Sequence, residues 1–84
     1  KVVVDIEKRI LAYGCELHID CAEELMNGGS SGAKLWGANV YPKEKRIDFI
    51  SMINIRPKEG NRSMEILLPD VRKQVQTIIH ELLF

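Results

Sequence analysis

The sequence predicts an α+β fold: an antiparallel sheet of two hairpins, a short helix between them, and a C-terminal amphipathic helix, in the order β-β-α-β-β-α. Three observations predict it. Period-two alternation of apolar residues occurs in two separate stretches before residue 56. A short helical pattern with a candidate cap lies between them. An apolar stripe of helical period closes the chain. Eighty-four residues allow one small domain, residues 1–84. A chain of this size buries only a little over ~60% of its unfolded surface, so its core is marginal.

The first hairpin is read from Val2, Val4 and Ile6, which alternate with Val3, Asp5 and Glu7, and from Leu11, Tyr13, Cys15, Leu17 and Ile19 beyond Lys8. A two-residue turn at Glu7-Lys8 sets Val4 opposite Leu11 and Val2 opposite Tyr13, both pairs on one buried face. Neither turn residue favours positive φ, so a turn of three to five residues is the alternative. Asp20 followed by Glu23 reads as a capping box opening a helix through Met26, with Gly28 as a positive-φ terminator. In the second hairpin Trp36, Ala38 and Val40 alternate with Gly37, Asn39 and Tyr41. Pro42-Lys43-Glu44-Lys45 turns, and Arg46 to Ile55 returns as a strand. Pairing Tyr41 with Arg46 places Val40 opposite Ile47 and Asn39 opposite Asp48. In the last element Val71, Val75, Ile78, Ile79, Leu82 and Leu83 form one stripe, with Pro69 at the first helical position. Both helices are expected on one face of the sheet.

Twelve basic residues balance twelve acidic ones. That excludes an overall basic nucleic-acid binder and an acidic disordered tail. No apolar run approaches the ~20 residues a membrane helix needs. The balance is uneven along the chain. Residues 1–31 carry three basic and six acidic groups, and residues 32–62 carry seven basic and three acidic. Cys15 and Cys21 are too few for a disulfide scaffold and lack zinc-type spacing, so reduced thiols in a cytoplasmic protein are expected. The chain opens with Lys1 rather than Met, which suggests that a natural N-terminal segment is missing.

Two constellations are candidates for chemistry. The Arg56–Ser63 loop offers forked donors from Arg56 and Arg62, a turn at Gly60-Asn61 and the Ser63 hydroxyl. Arg56, Asn61, Arg62 and Ser63 together suit a phosphate or carboxylate. The competing reading is that the arginines pair with the domain's own acids and pin the loop. On an extended strand Glu16, His18 and Asp20 would share one face, which makes His18 and Glu16 candidate acid/base residues. The competing reading there is solvated or ion-paired side chains with Asp20 only capping. No metal or cofactor is expected. Trp36 is expected on the core face, His80 at the surface, and the Gly28–Gly32 run fits no phosphate-binding motif.

The blocks Val4-Asp5-Ile6-Glu7, Gly14 with Glu16-Leu17-His18 and Asp20, Leu35-Trp36-Gly37-Ala38-Asn39, Ile53-Asn54-Ile55-Arg56-Pro57 and Gly60-Asn61-Arg62-Ser63-Met64 resemble a family of small prokaryotic proteins defined only as a domain of unknown function. The resemblance covers nearly the whole chain. It implies a further strand and helix before Val2, and it carries no activity. This chain has Cys15 where the family often has a second glycine, and Leu68 where an Asp cap is usual. The resulting expectation is a small binding or regulatory domain with an anion-binding loop at residues 56–63, probed by phosphate. It is expected to form a homo-oligomer, with no membrane partner and nucleic acid disfavoured. The alternatives are a hydrolase-type enzyme acting on a phosphorylated or carboxylated small molecule, and a nucleic-acid or protein interaction module.

Overall fold

The computed structural model describes residues 1–84. β1 (Val2–Asp5) and β2 (Ile10–Tyr13) form the first hairpin, α1 (His18–Asn27) follows, and β3 (Leu35–Tyr41) and β4 (Arg46–Asp48) form the second. α2 (Pro69–Leu83) ends the chain. The element order is the expected β-β-α-β-β-α. The sheet is antiparallel throughout, in the order β2-β1-β3-β4.

Both hairpin registers match the alternation. Val2 pairs with Tyr13 and Val4 with Leu11, while Tyr41 pairs with Arg46 and Asn39 with Asp48. The first turn is the longer alternative. Asp5 and Ile10 are the last pair, and Arg9, at φ 57, donates its amide to the Asp5 carbonyl. Asp5 organises this turn: one carboxylate oxygen accepts from the amides of Glu7 and Lys8, both at 2.9 Å. Burial alone would raise the Asp5 pKa. The adjacent Ser30 hydroxyl, the two amides and the Lys8 charge outweigh it and hold the carboxyl below its usual value.

The helices lie on opposite faces of the sheet, not on one. Val2, Val4, Trp36 and Ala38 pack with Val75, Ile78 and Ile79 of α2, whereas Val3 and Leu35 pack with Cys21, Ala22 and Leu25 of α1. The cause is β1, a continuous Val2-Val3-Val4 run buried on both sides. Alternation describes a half-solvated strand; an unbroken apolar run describes one covered twice. Trp36 is in the core, as its parity predicts. Leu82, at the end of the α2 stripe, is instead exposed.

Four local expectations are corrected. β2 ends at Tyr13, because Gly14 takes φ +84 and breaks the strand; Tyr13 is itself exposed at this edge. α1 starts two residues before Asp20, with Leu17 at the N-cap and no side-chain cap, so the capping box does not form. The positive φ after α1 falls on Gly29, not Gly28. The strand from Arg46 stops at Asp48. The chain then turns through a short 3₁₀ helix, Met52–Asn54, while the backbone around Phe49–Ser51 pairs with Met64–Ile66.

The cysteines also differ from expectation. Cys15 and Cys21 form a disulfide, their Cα atoms 5.8 Å apart. The early start of α1 is the reason. It folds Cys21 back onto the end of the β2 connection, where an extended chain through Ile19 would hold the two thiols apart.

Candidate functional site

The first turn of α1 and the 3₁₀ segment after β4 rise from neighbouring parts of the sheet and leave a cleft of about 370 Å³ between them. Its walls are Leu17 and Ile19 on one side and Ile50, Met52 and Met64 on the other. All five are exposed, Met52 to 74%. Single exposed apolar residues need no explanation, but a contiguous group around a concavity does. Lys1 and Asn39 contribute polar groups to its lining.

His18 and Ser51 also line the cleft, and both are almost wholly buried. The His18 Nε2–H donates to the Ala38 carbonyl at 2.7 Å, which fixes the ring and its tautomer. Burial is the largest influence on this imidazole. Together with the Lys1 charge it outweighs the Ala38 and Asn39 contacts and lowers the pKa below the usual value. Ser51 Oγ accepts from the Ile53 amide at 3.3 Å. Where a Cβ would project from Gly37, Ser51 Oγ lies 2.6 Å away and His18 Cδ2 3.1 Å away. Gly37 therefore lets the two residues meet over the sheet. No hydrogen bond joins them.

The predicted Glu16–His18–Asp20 face is not formed. Those residues straddle the start of a helix, where i and i+2 point apart. His18 turns inward while Glu16 and Asp20 face solvent. No three His, Cys, Asp or Glu side chains cluster as a metal site requires.

The Arg56–Ser63 loop is tightly folded, and three of its four candidate residues have partners within the chain. Arg56 lies over the Trp36 ring at 4.1 Å. It donates from Nε to the Ile53 carbonyl at 3.1 Å and from Nη1 to the Ala33 carbonyl at 2.9 Å, and it reaches Glu59 at 3.4 Å. Asn61 is fully buried. Its amide nitrogen donates to the carbonyls of Asn54, Ser63 and Glu65, and its oxygen accepts from the Leu67 amide. Ser63 Oγ accepts from the Glu65 amide. Arg62 is exposed and makes no ion pair or hydrogen bond within the chain. None of these four lines the cleft.

Asn54, which no candidate set included, ties this loop to the sheet. It is fully buried. Its oxygen accepts from the Gly37 amide at 2.8 Å, and its nitrogen donates to the Gly37 carbonyl at 2.9 Å and the Met64 carbonyl at 3.0 Å. One side-chain amide thus does for β3 what a neighbouring strand would do. The available signal was an Asn between two Ile residues, a polar group in an apolar setting. The cleft walls carry a weaker signal, because strand alternation accounts for Leu17 and Ile19, and Ile50 falls inside the expected Arg46–Ile55 strand.

No curated protein and no solved structure matches the chain. A family model described as "Protein of unknown function (DUF5674)" matches residues 1–82, nearly the whole chain, and the protein belongs to that family.

Proposed function

We propose that this chain is a binding domain whose site is the cleft between the first turn of α1 and the Met52–Asn54 segment. Its ligand is a small amphipathic anion: an apolar body against Leu17, Ile19, Met52 and Met64, and a negative end towards Lys1. The observation that carries this reading is five exposed apolar side chains converging on one concavity of about 370 Å³ with a single cationic side chain in its lining. Two methionines suit an adaptable apolar wall. Mostly apolar concave sites with a few convergent polar groups are the usual form of a small-molecule site.

The sequence expected the anion donors in the 56–63 loop. Arg62 is the residue there that supports such a role, since Arg56, Asn61 and Ser63 are engaged within the fold. A hydrolytic role for His18 or Glu16 has less support. The Nε2 of His18 is held by Ala38, and Glu16 stands apart in solvent. The apolar rim also supports the expected self-association. Cytoplasmic residence remains part of the proposal, with the disulfide then a reversible bond.

Titration with anilinonaphthalene sulfonate, an amphipathic anion, tests the reading. Saturable fluorescence is expected, with amide shifts at residues 17–19, 39 and 50–53, and M52D, which puts a like charge on the apolar wall, abolishes it. Shifts confined to residues 56–63, or none, would overturn the cleft assignment. Inorganic phosphate in parallel reads the Arg62 loop separately.

A further inference from the structure

We propose that the Cys15–Cys21 disulfide is a thiol-exchange site that sets the shape of the cleft wall, with Cys15 the sulfur that is attacked and Cys21 the leaving sulfur. The two sulfurs have different surroundings. Cys21 is 3% exposed, packed among Val3, Ala22, Leu25 and Leu35 under α1. Cys15 is only partly buried, in the irregular connection that follows Gly14. An incoming thiolate therefore reaches Cys15. Cys21, held in its apolar cluster under α1, is protonated as it leaves, because those surroundings disfavour the thiolate.

The co-reactant is a small thiol of the glutathione class, and the exchange balances. Its thiolate attacks Cys15 Sγ, the Cys15–Cys21 bond breaks, and Cys21 departs as a thiolate that takes a proton from water. A second thiolate attacks the small thiol's own sulfur in the mixed disulfide. Cys15 is released as a thiolate, which is then protonated, and the two small thiols leave joined as a disulfide. The reverse sequence, driven by that oxidised small molecule, restores the bond.

The consequence follows from what the bridge encloses. Residues 16–20 lie inside it, and three of them, Leu17, His18 and Ile19, form one side of the cleft. This first turn has no side-chain cap. It is held by the disulfide, by the Asp20 amide on the Leu17 carbonyl at 3.0 Å, and by His18 on Ala38. A ten-residue helix is marginal without tertiary support. On reduction Cys21 stays anchored in its apolar cluster, while Cys15 and the uncapped turn are released.

The cleft consequence rests on the proposed binding site, but the exchange does not. The test equilibrates the folded protein in glutathione redox buffers. Thiols are counted by alkylation, the mixed disulfide is located by mass spectrometry, and amide hydrogen exchange is followed at residues 18–22. We expect a reversible two-thiol transition, glutathione on Cys15 alone, and about a tenfold loss of protection in the first turn on reduction. The C15S variant should show the same loss without reductant. A bond that stays closed in millimolar glutathione would overturn the proposal. So would glutathione carried mainly on Cys21, or protection unchanged between the two states. If those readouts hold while anilinonaphthalene sulfonate binds neither form, the exchange site stands and the binding reading fails.

Discussion

Replacing Gly37 with alanine tests whether this glycine is what joins the sheet to the cleft. A Cβ at this position would lie 2.5 Å from Ser51 Cβ, 2.6 Å from Ser51 Oγ and 3.1 Å from His18 Cδ2. Ser51 cannot rotate its own Cβ away, so the backbone of the 51–54 segment has to move. Overpacking of this kind costs about 1–3 kcal/mol. Displacing that segment also strains the paired bonds between Gly37 and the Asn54 amide, each contributing about 1 kcal/mol. Against this, alanine lowers the unfolded chain's entropy by less than about 1 kcal/mol. The net expectation is a loss of about 2–3 kcal/mol, read by urea denaturation with an unchanged slope. The contact makes a sharper demand. Ser51→Gly removes both clashing atoms, so the double variant should recover at least about 1 kcal/mol relative to additivity. A G37A protein as stable as the wild type, or strictly additive losses, would refute the reasoning.

Asn54→Ala leaves the Gly37 amide without its Asn54 partner inside the protein and should lose about 2–4 kcal/mol, whereas Arg62→Ala, with no partner to lose, should stay within about 0.5 kcal/mol; chemical denaturation of both checks the contrast. The folded His18 binds its proton less readily than the unfolded one. Its contribution is therefore complete above the ordinary imidazole value near ~6.5 and declines as pH falls through the lowered folded value. His18→Gln should flatten that part of the stability–pH curve, and an unchanged slope would assign it elsewhere. Asp5, also lowered, loses its contribution only in a more acid window, as pH falls below the ordinary carboxylate value, and Asp5→Asn should remove that limb. Opening the Cys15–Cys21 loop should destabilise by about 2 kcal/mol on the chain-entropy model, measured by comparing C15S/C21S with the oxidised protein.

Much of the sheet was legible because two-residue periodicity and turn position together determine register. Val4 with Leu11 and Asn39 with Asp48 both follow from counting outward from a turn. What alternation could not convey was burial on the second face. The signal lies in Val2-Val3-Val4, three apolar residues without a polar gap, but an alternating template assigns Val3 outward. Residues 49–55 failed for a different reason. Their local pattern continues a strand, yet Asn54 makes its bonds to Gly37, seventeen residues back, and this long-range pairing decides the local path. At the candidate site, His18 lines the cleft, but its neighbours are not those that the sequence suggests. The expected companions Glu16 and Asp20 depended on an extended backbone, and the helix beginning at His18 disperses them.

The Asn and Arg of the 53–63 region looked like a ligand site because polar residues at fixed spacing in a loop invite that reading. The structure supplies a different physical demand for them. A long connection packed against a sheet carries backbone amides and carbonyls that must be paired. Asn54 pairs those of Gly37, Asn61 gathers four backbone groups of its own loop, and Arg56 joins Ile53 to Ala33 across the Trp36 ring. Once these polar groups are assigned to holding the loop, Arg62 is the candidate left without an internal partner, and the cleft itself is walled by exposed apolar side chains: Leu17, Ile19, Ile50, Met52 and Met64. Their exposure runs against the free energy of burial at ~25 cal/mol per Å², a cost that the ligand we propose would offset by covering them. The polar motif builds and holds one wall, and the ligand we propose would rest on the apolar surface that this wall presents.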